Sequence, residues 1–331
     1  MFKSISSIQI IMLKKISLIL LLLVICATHV QSQQTNTAFK IIPLGVKGGD
    51  DESNLSAYML APKGSENYVC LDAGTINAGI QKAIDQKTLK GISEDIQRKQ
   101  IKGYLISHAH LDHVAGLIIN SPADAAKNIY GMLPVLNILR DKYFTWDAWA
   151  NFGNEGEKPQ LKKYTYTPLE EGIVYPLAET DMKVQAYELS HGKPYKSTAF
   201  LVQAGNSYVL YLGDTGADEI EKSDRLIKLW QTVAPLINAG RLKAVFLEVS
   251  FPNEQPENQL FGHLTPKLFF SELGKLKALT DANAIKKVSF IVTHIKPPQH
   301  NAEKIKQQLL SENIFNLNLV FPEQGKQLTI N

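Results

Sequence analysis

Three histidines and an aspartate fall within six residues, His108-Ala109-His110-Leu111-Asp112-His113. Neutral imidazole and carboxylate are the usual ligands of zinc and similar divalent ions. On extended backbone, side chains two residues apart point the same way, so His108 and His110 can serve one position. Asp112 and His113 follow as the chain turns and can reach a second, adjacent one. A single histidine is ordinarily a packed or surface side chain. Here four ligand-type residues are entered from the apolar Tyr104-Leu105-Ile106 and left through Val114-Ala115-Gly116-Leu117-Ile118-Ile119. That setting predicts a metal centre and not a solvated histidine-rich loop.

The elements that must hold such a centre can be read from four later apolar runs. Met182 to Ser190 ends at His191, Tyr208 to Gly213 at Asp214, Lys243 to Leu247 at Glu248, and Val288 to Thr293 at His294. Taken singly, each is an ordinary polar residue at a strand end. Together they bring ligand-type side chains to one edge of a sheet. Helices separate the strands: one over about 223 to 239, one opened by Thr265-Pro266 as N-cap and first-turn proline, and one from about Asn301. Upstream, Phe39 to Leu44, Asn54 to Leu60 and Asn67 to Leu71 read as strands, and Ala78 to Asp85 and Ile92 to Lys99 as amphipathic helices. Ile129 to Tyr143 reads as a helix, and Tyr164 to Pro176 as loop or short strand. Strands interleaved with helices in both halves predict an α/β chain folded as an αββα sandwich. No Pro/Gly linker divides it, so residues 33–331 read as one domain.

Charged residues make up 20% of the 331-residue chain, and no repeat or low-complexity tract is present. Disorder and repeat architectures are thereby excluded. Lys14 and Lys15 precede the apolar run Ile16 to Cys26, and small or polar residues follow through Ser32. Residues 1–32 thus have the layout of a cleavable secretory signal, and a periplasmic location is expected. The run falls short of the roughly 20 residues of a membrane span. Ile25 is a poor residue before a lipidated cysteine, which disfavours anchoring through Cys26. Losing Lys3, Lys14 and Lys15 brings the formal charge from +3 to about zero, so neither nucleic acid nor a membrane surface is an expected partner. Cys70 is then the only cysteine and reads as a small core residue. The acidic run after Gly48-Gly49 reads as a solvated turn, with contact to the site as the alternative. Phe144, Trp146, Trp149 and Phe152 read as core, with a purine-stacking pocket wall as the functional alternative. The sequence leaves the oligomeric state, including a homodimer, open.

The stretch from His108 through Ser121-Pro122 resembles the signature of the class II cyclic-nucleotide phosphodiesterases, a branch of the metallo-β-lactamase fold. The HxHxDH core alone points only to that superfamily; the tail narrows it. Asn54-Leu55-Ser56-Ala57-Tyr58, Leu71-Asp72-Ala73-Gly74-Thr75, Phe261-Gly262-His263-Leu264-Thr265-Pro266 and Thr293-His294-Ile295-Lys296-Pro297 are similar to the family as well. The resemblance implies a metallo-β-lactamase-type sandwich holding two divalent ions. His108, His110 and His191 would bind one, Asp112, His113 and His294 the other, and Asp214 would bridge them. Asp72 would orient the motif loop without ligating. Nitrogen and oxygen ligands throughout favour zinc, with manganese and iron as the alternatives. Lactamases of the fold commonly place a cysteine in the second site, and no cysteine falls there.

The implied reaction opens the 3′ phosphoester of a 3′,5′-cyclic nucleotide, cAMP with cGMP left open, to give the 5′-monophosphate. Two ions suit it because they lower the pKa of a shared water from 15.7 towards about 7 and neutralise the phosphate. The implied catalytic set is His263, Glu248 and Asp112. His263 would be the general acid, with Glu248 behind it as in the similar Glu–His pair of tRNA 3′-processing endonucleases. Lys296 and Thr198 are the candidate substrate contacts. Two competing expectations stand beside this one: a lactonase or phosphotriesterase of the same fold, and a protein that binds cyclic nucleotides without hydrolysing them.

Overall fold

The computed structural model describes residues 38–296 and 300–330. The expected signal segment, with Cys26 and His29, lies outside the described residues. Fourteen strands are present among the described residues: β1 (Phe39–Gly45), β2 (Ala57–Pro62), β3 (Tyr68–Leu71), β4 (Ile101–Leu105), β5 (Lys127–Gly131), β6 (Tyr164–Pro168), β7 (Tyr175–Pro176), β8 (Met182–Ser190), β9 (Lys196–Ala204), β10 (Ser207–Leu212), β11 (Leu242–Glu248), β12 (Ser289–Thr293), β13 (Asn318–Val320) and β14 (Leu328–Ile330). They form two mixed sheets, β14-β1-β2-β3-β4-β5-β6 and β13-β12-β11-β10-β9-β8-β7.

The sheets face each other across a shared core that includes Phe39, Tyr58, Leu60, Phe200, Phe246 and Ile291. Helices cover the outer faces. On the first sheet lie α1 (Asn77–Asp85), α2 (Ser93–Gln100), α3 (Leu111–Asn120) and α4 (Leu133–Ile138). On the second lie α5 (Asp218–Glu221), α6 (Arg225–Asn238), α7 (Pro266–Ala278) and α8 (Asn301–Ser311). With both faces covered, β2 and β3 are buried at every position instead of alternating. β8 does alternate over its first half, burying Met182, Val184 and Ala186 while Lys183 is exposed. In α6 the buried positions Leu226, Leu229, Trp230, Val233, Ala234 and Ile237 recur at helical spacing and form one stripe against the sheet. Thr265 caps α7, its hydroxyl oxygen accepting from Leu268 N at 3.4 Å, and Pro266 opens the first turn.

Two expectations change. Ile129 to Tyr143 is not one helix: its first residues belong to β5, between β4 and β6, before α4 and a wide turn over Leu139–Tyr143. Sheet pairing on both edges overrides local propensity there. Tyr164 to Pro176 contains β6 and β7 instead of only loop. Lys127, buried at the start of β5, pairs with Asp124 at 2.7 Å, and the Tyr104 and Tyr164 hydroxyls donate to the same carboxylate at 2.7 and 2.9 Å. This network ties the segment after α3 to β4 and β6, and so steadies the helix that carries Asp112 and His113. Cys70 is buried and free, with its thiol pushed up by burial, as a core residue should be.

Candidate active site

Loop and helix ends converge on one edge of the sandwich. β4 stops at Leu105, and the loop carrying His108 leads to His110, which caps α3 in an extended conformation and leaves Asp112 and His113 in the first turn. His191 follows β8, Asp214 comes two residues after β10, Glu248 ends β11 and His294 follows β12. Asp72 (φ 53°) and His294 (φ 57°) sit in the left-handed region, which a non-glycine residue adopts at a cost of order 1–3 kcal/mol. Such strain is kept only where surrounding structure over-determines it.

The ligand atoms of His108, His110 and His191 lie within 4.8 Å of one another, and so do those of Asp112, His113, Asp214 and His294. In the first group His110 Nδ1 is 3.1 Å from His108 Nε2 and 3.3 Å from His191 Nε2. In the second, His294 Nε2 is 3.0 Å from Asp112 Oδ2. Asp214 Oδ2 stands between them, 3.1 Å from His294 Nε2, 3.3 Å from His113 Nε2, 3.7 Å from His108 Nε2 and 3.9 Å from His191 Nε2. All seven expected residues are therefore together.

Their outward nitrogens are held. His113 Nδ1 faces Asp72 Oδ2 at 2.7 Å, His191 Nδ1 faces Gly262 O at 2.9 Å, His108 Nδ1 faces Ser107 Oγ at 3.1 Å and His294 Nδ1 faces Ser250 Oγ at 2.9 Å. An oxygen on the far side of each ring leaves the inner nitrogen free to donate a lone pair. Asp72 also accepts from Ser107 N and the Ser107 hydroxyl at 2.7 Å and from the Tyr211 hydroxyl at 2.6 Å, so it orients the motif loop as expected.

Burial and then neighbouring His113 hold the His108 imidazole well below its ordinary value, and burial brings His191 down to about 4. Burial would raise the Asp214 and Asp112 carboxyls, but the facing imidazoles outweigh it and keep both ionised. Burial keeps His108 and His191 neutral, whereas at His113 burial is outweighed by the carboxylates of Asp214 and Asp72, which hold the imidazole above its ordinary range. Imidazole nitrogens facing ionised carboxylates are the donor types a divalent cation takes. His113 Nε2 is buried without a hydrogen-bond partner, an orphan that a bound ion would satisfy. These clusters suit divalent metal binding.

Beside them His263 is buried, its Nδ1 2.7 Å from Glu248 Oε1 and 3.8 Å from Asp214 Oδ2. Burial lowers its basicity, but Glu248 more than compensates and the imidazole is held above its ordinary range. Lys296 is half-buried with its ammonium 5.1 Å over the Phe251 ring, which packs edge-on against His263. Thr198 is placed differently. It is buried within β9, where its carbonyl accepts from Gly213 N at 3.1 Å, a support under Asp214 and not part of the cavity wall.

A cavity of about 320 Å³ opens beside His108 and His110, walled by Val135, Ile138, Tyr143 and Tyr195. The aromatic cluster expected as an alternative wall is elsewhere: Phe144 and Phe152 are core, and Trp149 Nε1 donates to Ser121 Oγ at 3.0 Å. The loop expected to be a solvated turn touches the site through its glycines. Gly49 N donates to Asp112 Oδ2 at 3.0 Å, and a Cβ at Gly48 would collide with the His294 ring. The adjacent glycines ahead of an acidic run were the only sequence signal of that close approach. Tyr195, three residues after Gly192 in the His191 loop, had none beyond its type.

The model of the class II cAMP phosphodiesterases matches residues 93–318. A 3′,5′-cyclic-nucleotide phosphodiesterase of Aliivibrio fischeri is 40% identical over 305 residues, covering 88% of this chain and 92% of that one. A probable 3′,5′-cyclic-nucleotide phosphodiesterase of Yersinia pestis is 34% identical over 317 residues, covering 91% and 92%. Unliganded yeast PDE1 matches in structure with a TM-score of 0.76 at 22% identity, over 89% of this chain and 99% of that one. The metallo-β-lactamase fold protein YhfI from Bacillus subtilis matches at 0.57 and 15%, over 88% and 99%. The αββα sandwich is accordingly the metallo-β-lactamase fold. Sequence likeness of this extent, running through the strands and loops that carry the histidines, means that the chain belongs to the class II cAMP phosphodiesterases.

Proposed function

We propose that the protein hydrolyses 3′,5′-cyclic nucleotides at the 3′ phosphoester, using two divalent ions, zinc by the nature of the donors, and releasing the 5′-monophosphate. The observation that carries this is Asp214 Oδ2 standing within 3.1–3.9 Å of an inner nitrogen from each of His294, His113, His108 and His191. His108, His110 and His191 would hold one ion, Asp112, His113 and His294 the other, with Asp214 shared. When bound, such a pair would activate water and neutralise the phosphate oxygens.

The chain's own residues do the rest. His263 gives its Nδ1 proton to a hydrogen bond with Glu248, which leaves Nε2 to carry the proton for the departing 3′ oxygen. Glu248 keeps that imidazole charged and in one orientation. Lys296 adds positive charge on the same side. The cavity lies within the size range of small-molecule sites, and its apolar walls suit a nucleobase more than a phosphate. Tyr143 is pinned by its hydroxyl donating to Ala109 O at 2.9 Å, whereas Tyr195 is 58% exposed with its ring centroid 5.0 Å from that of His110. We assign Tyr195 to stacking on the base. Tyr195→Ala should raise KM by about 10- to 100-fold with kcat nearly unchanged, since base–aromatic stacking is worth about 1–3 kcal/mol. Equal losses in kcat would contradict a role in binding alone.

Export to the periplasm belongs to the same proposal and rests on residues 1–32. The proposed activity is tested by incubating zinc-loaded protein with cAMP, cGMP, a lactone panel and a phosphotriester. Formation of 5′-AMP is expected. Surviving cyclic nucleotide would favour a binding protein, and faster lactone or triester turnover would favour another hydrolase of the fold.

A further inference from the structure

Building on the two-ion reading, we infer that Ser250 is a positioning residue through which Glu248 fixes the His294 ring as well as the His263 ring. Ser250 is fully buried, two residues beyond Glu248 at the end of β11. Its Oγ is 2.6 Å from Glu248 Oε2, 2.9 Å from His294 Nδ1 and 3.2 Å from His263 Nδ1. A hydroxyl has one proton to give. The other acceptor in reach is the His294 carbonyl oxygen at 3.1 Å. Glu248, ionised, can only accept and offers the shortest of the four contacts, so the proton goes there. The Ser250 lone pairs are then turned to His294, whose Nδ1 must carry the hydrogen. In neutral imidazole that leaves Nε2 bare, 3.0 Å from Asp112 Oδ2 and 3.1 Å from Asp214 Oδ2. A bare nitrogen facing two carboxylates is unfavourable unless a cation lies between them.

Glu248 meanwhile accepts from His263 Nδ1 through Oε1 at 2.7 Å, and from Thr215 N, next to Asp214, at 3.1 Å. One carboxylate therefore sets the acid directly and the second ion's histidine through a serine. Without Ser250, His294 Nδ1–H would be left unpaired in a buried site. The ring would avoid this by moving its proton to Nε2, where it could donate to Asp112 or Asp214 but no longer bind an ion. None of His108, His110 and His191 hydrogen-bonds to Ser250 or Glu248, although His191 packs edge-on against His263.

The test is zinc titration of the stripped full-length protein against a chromophoric chelator, with histidine ¹⁵N spectra to read the tautomers. Wild type should take two ions and show the Nδ1–H form of His294. Ser250→Ala should keep the first ion, bind the second about 10- to 100-fold more weakly and shift the His294 proton to Nε2, the usual scale for removing an outer partner of a metal ligand. Glu248→Gln should weaken the same ion, and the double variant should be no worse than the weaker single one, because both act along one path. If Ser250→Ala does not fold, Glu248→Gln decides alone. Undiminished second-ion affinity in the variants, or additive losses, would overturn the relay while leaving the two-ion reading intact. A wild-type protein that takes fewer than two ions would overturn both.

Discussion

Replacing His263 with alanine is expected to lower kcat by about 10²- to 10⁴-fold, the range that a positioned general acid supplies, while both ions stay bound. The expectation follows from where the imidazole is tied. Its Nδ1 is 2.7 Å from Glu248 Oε1, against 3.8 Å from Asp214 Oδ2, so the ring answers to the glutamate more than to the metal cluster. It packs face to face with His294, ring centroids 5.1 Å apart, and edge-on to His191 at 4.9 Å. The buried carboxylate left behind retains donors in Thr215 N and the Ser250 hydroxyl. The fold should therefore survive. Steady-state kinetics and elemental analysis on the same sample check the claim. His263 also lies close enough to His191 and Asp214 to complete a ligand group. Loss of an ion together with turnover would reassign it from proton donor to ligand.

The second large effect is expected at Asp214. Its Oδ2 is, among the described residues, the one anionic atom that faces both histidine groups, and it is almost completely buried. Asp214→Asn keeps the volume and removes the charge, so packing cannot account for the outcome. Metal-assisted charge stabilisation is worth several kcal/mol, which corresponds to a loss of about 10³-fold or more in kcat/KM. At least one ion should be lost with it. A variant that retained two ions and turned over within tenfold of wild type would show that the bridge is dispensable.

Much of this site was legible before any coordinates. His108 to His113 are crowded in sequence, and His191, Asp214, Glu248 and His294 each end an apolar run whose length and composition mark a strand. A strand end has few places to go in a layered sandwich, which is why these residues could be expected along one edge; that Asp112 and His294 share one centre came from the family resemblance. What could not be read was set by tertiary contact. Ser250 and Gly48–Gly49 belong to residue types found in any loop, and only the close approach of β11, β12 and the loop after β1 gives them meaning. Ile129 and Tyr130 are both buried, so β5 has no alternation to set against the helical pattern that follows it. β14 was unreadable for another reason: three residues gain their strand character only by pairing with β1, nearly three hundred positions away. Tyr195 shows the same limit at the functional level, since a lone tyrosine becomes a wall only once a cavity exists beside it.

Anomalous diffraction from zinc-loaded crystals of the full-length protein tests the central claim most directly. Two peaks about 3.5–4 Å apart are expected, one among His108, His110 and His191 and one among Asp112, His113 and His294, with the Asp214 carboxylate between them. A single peak, or an ion held by Glu248 and His263 in place of the second group, would contradict it.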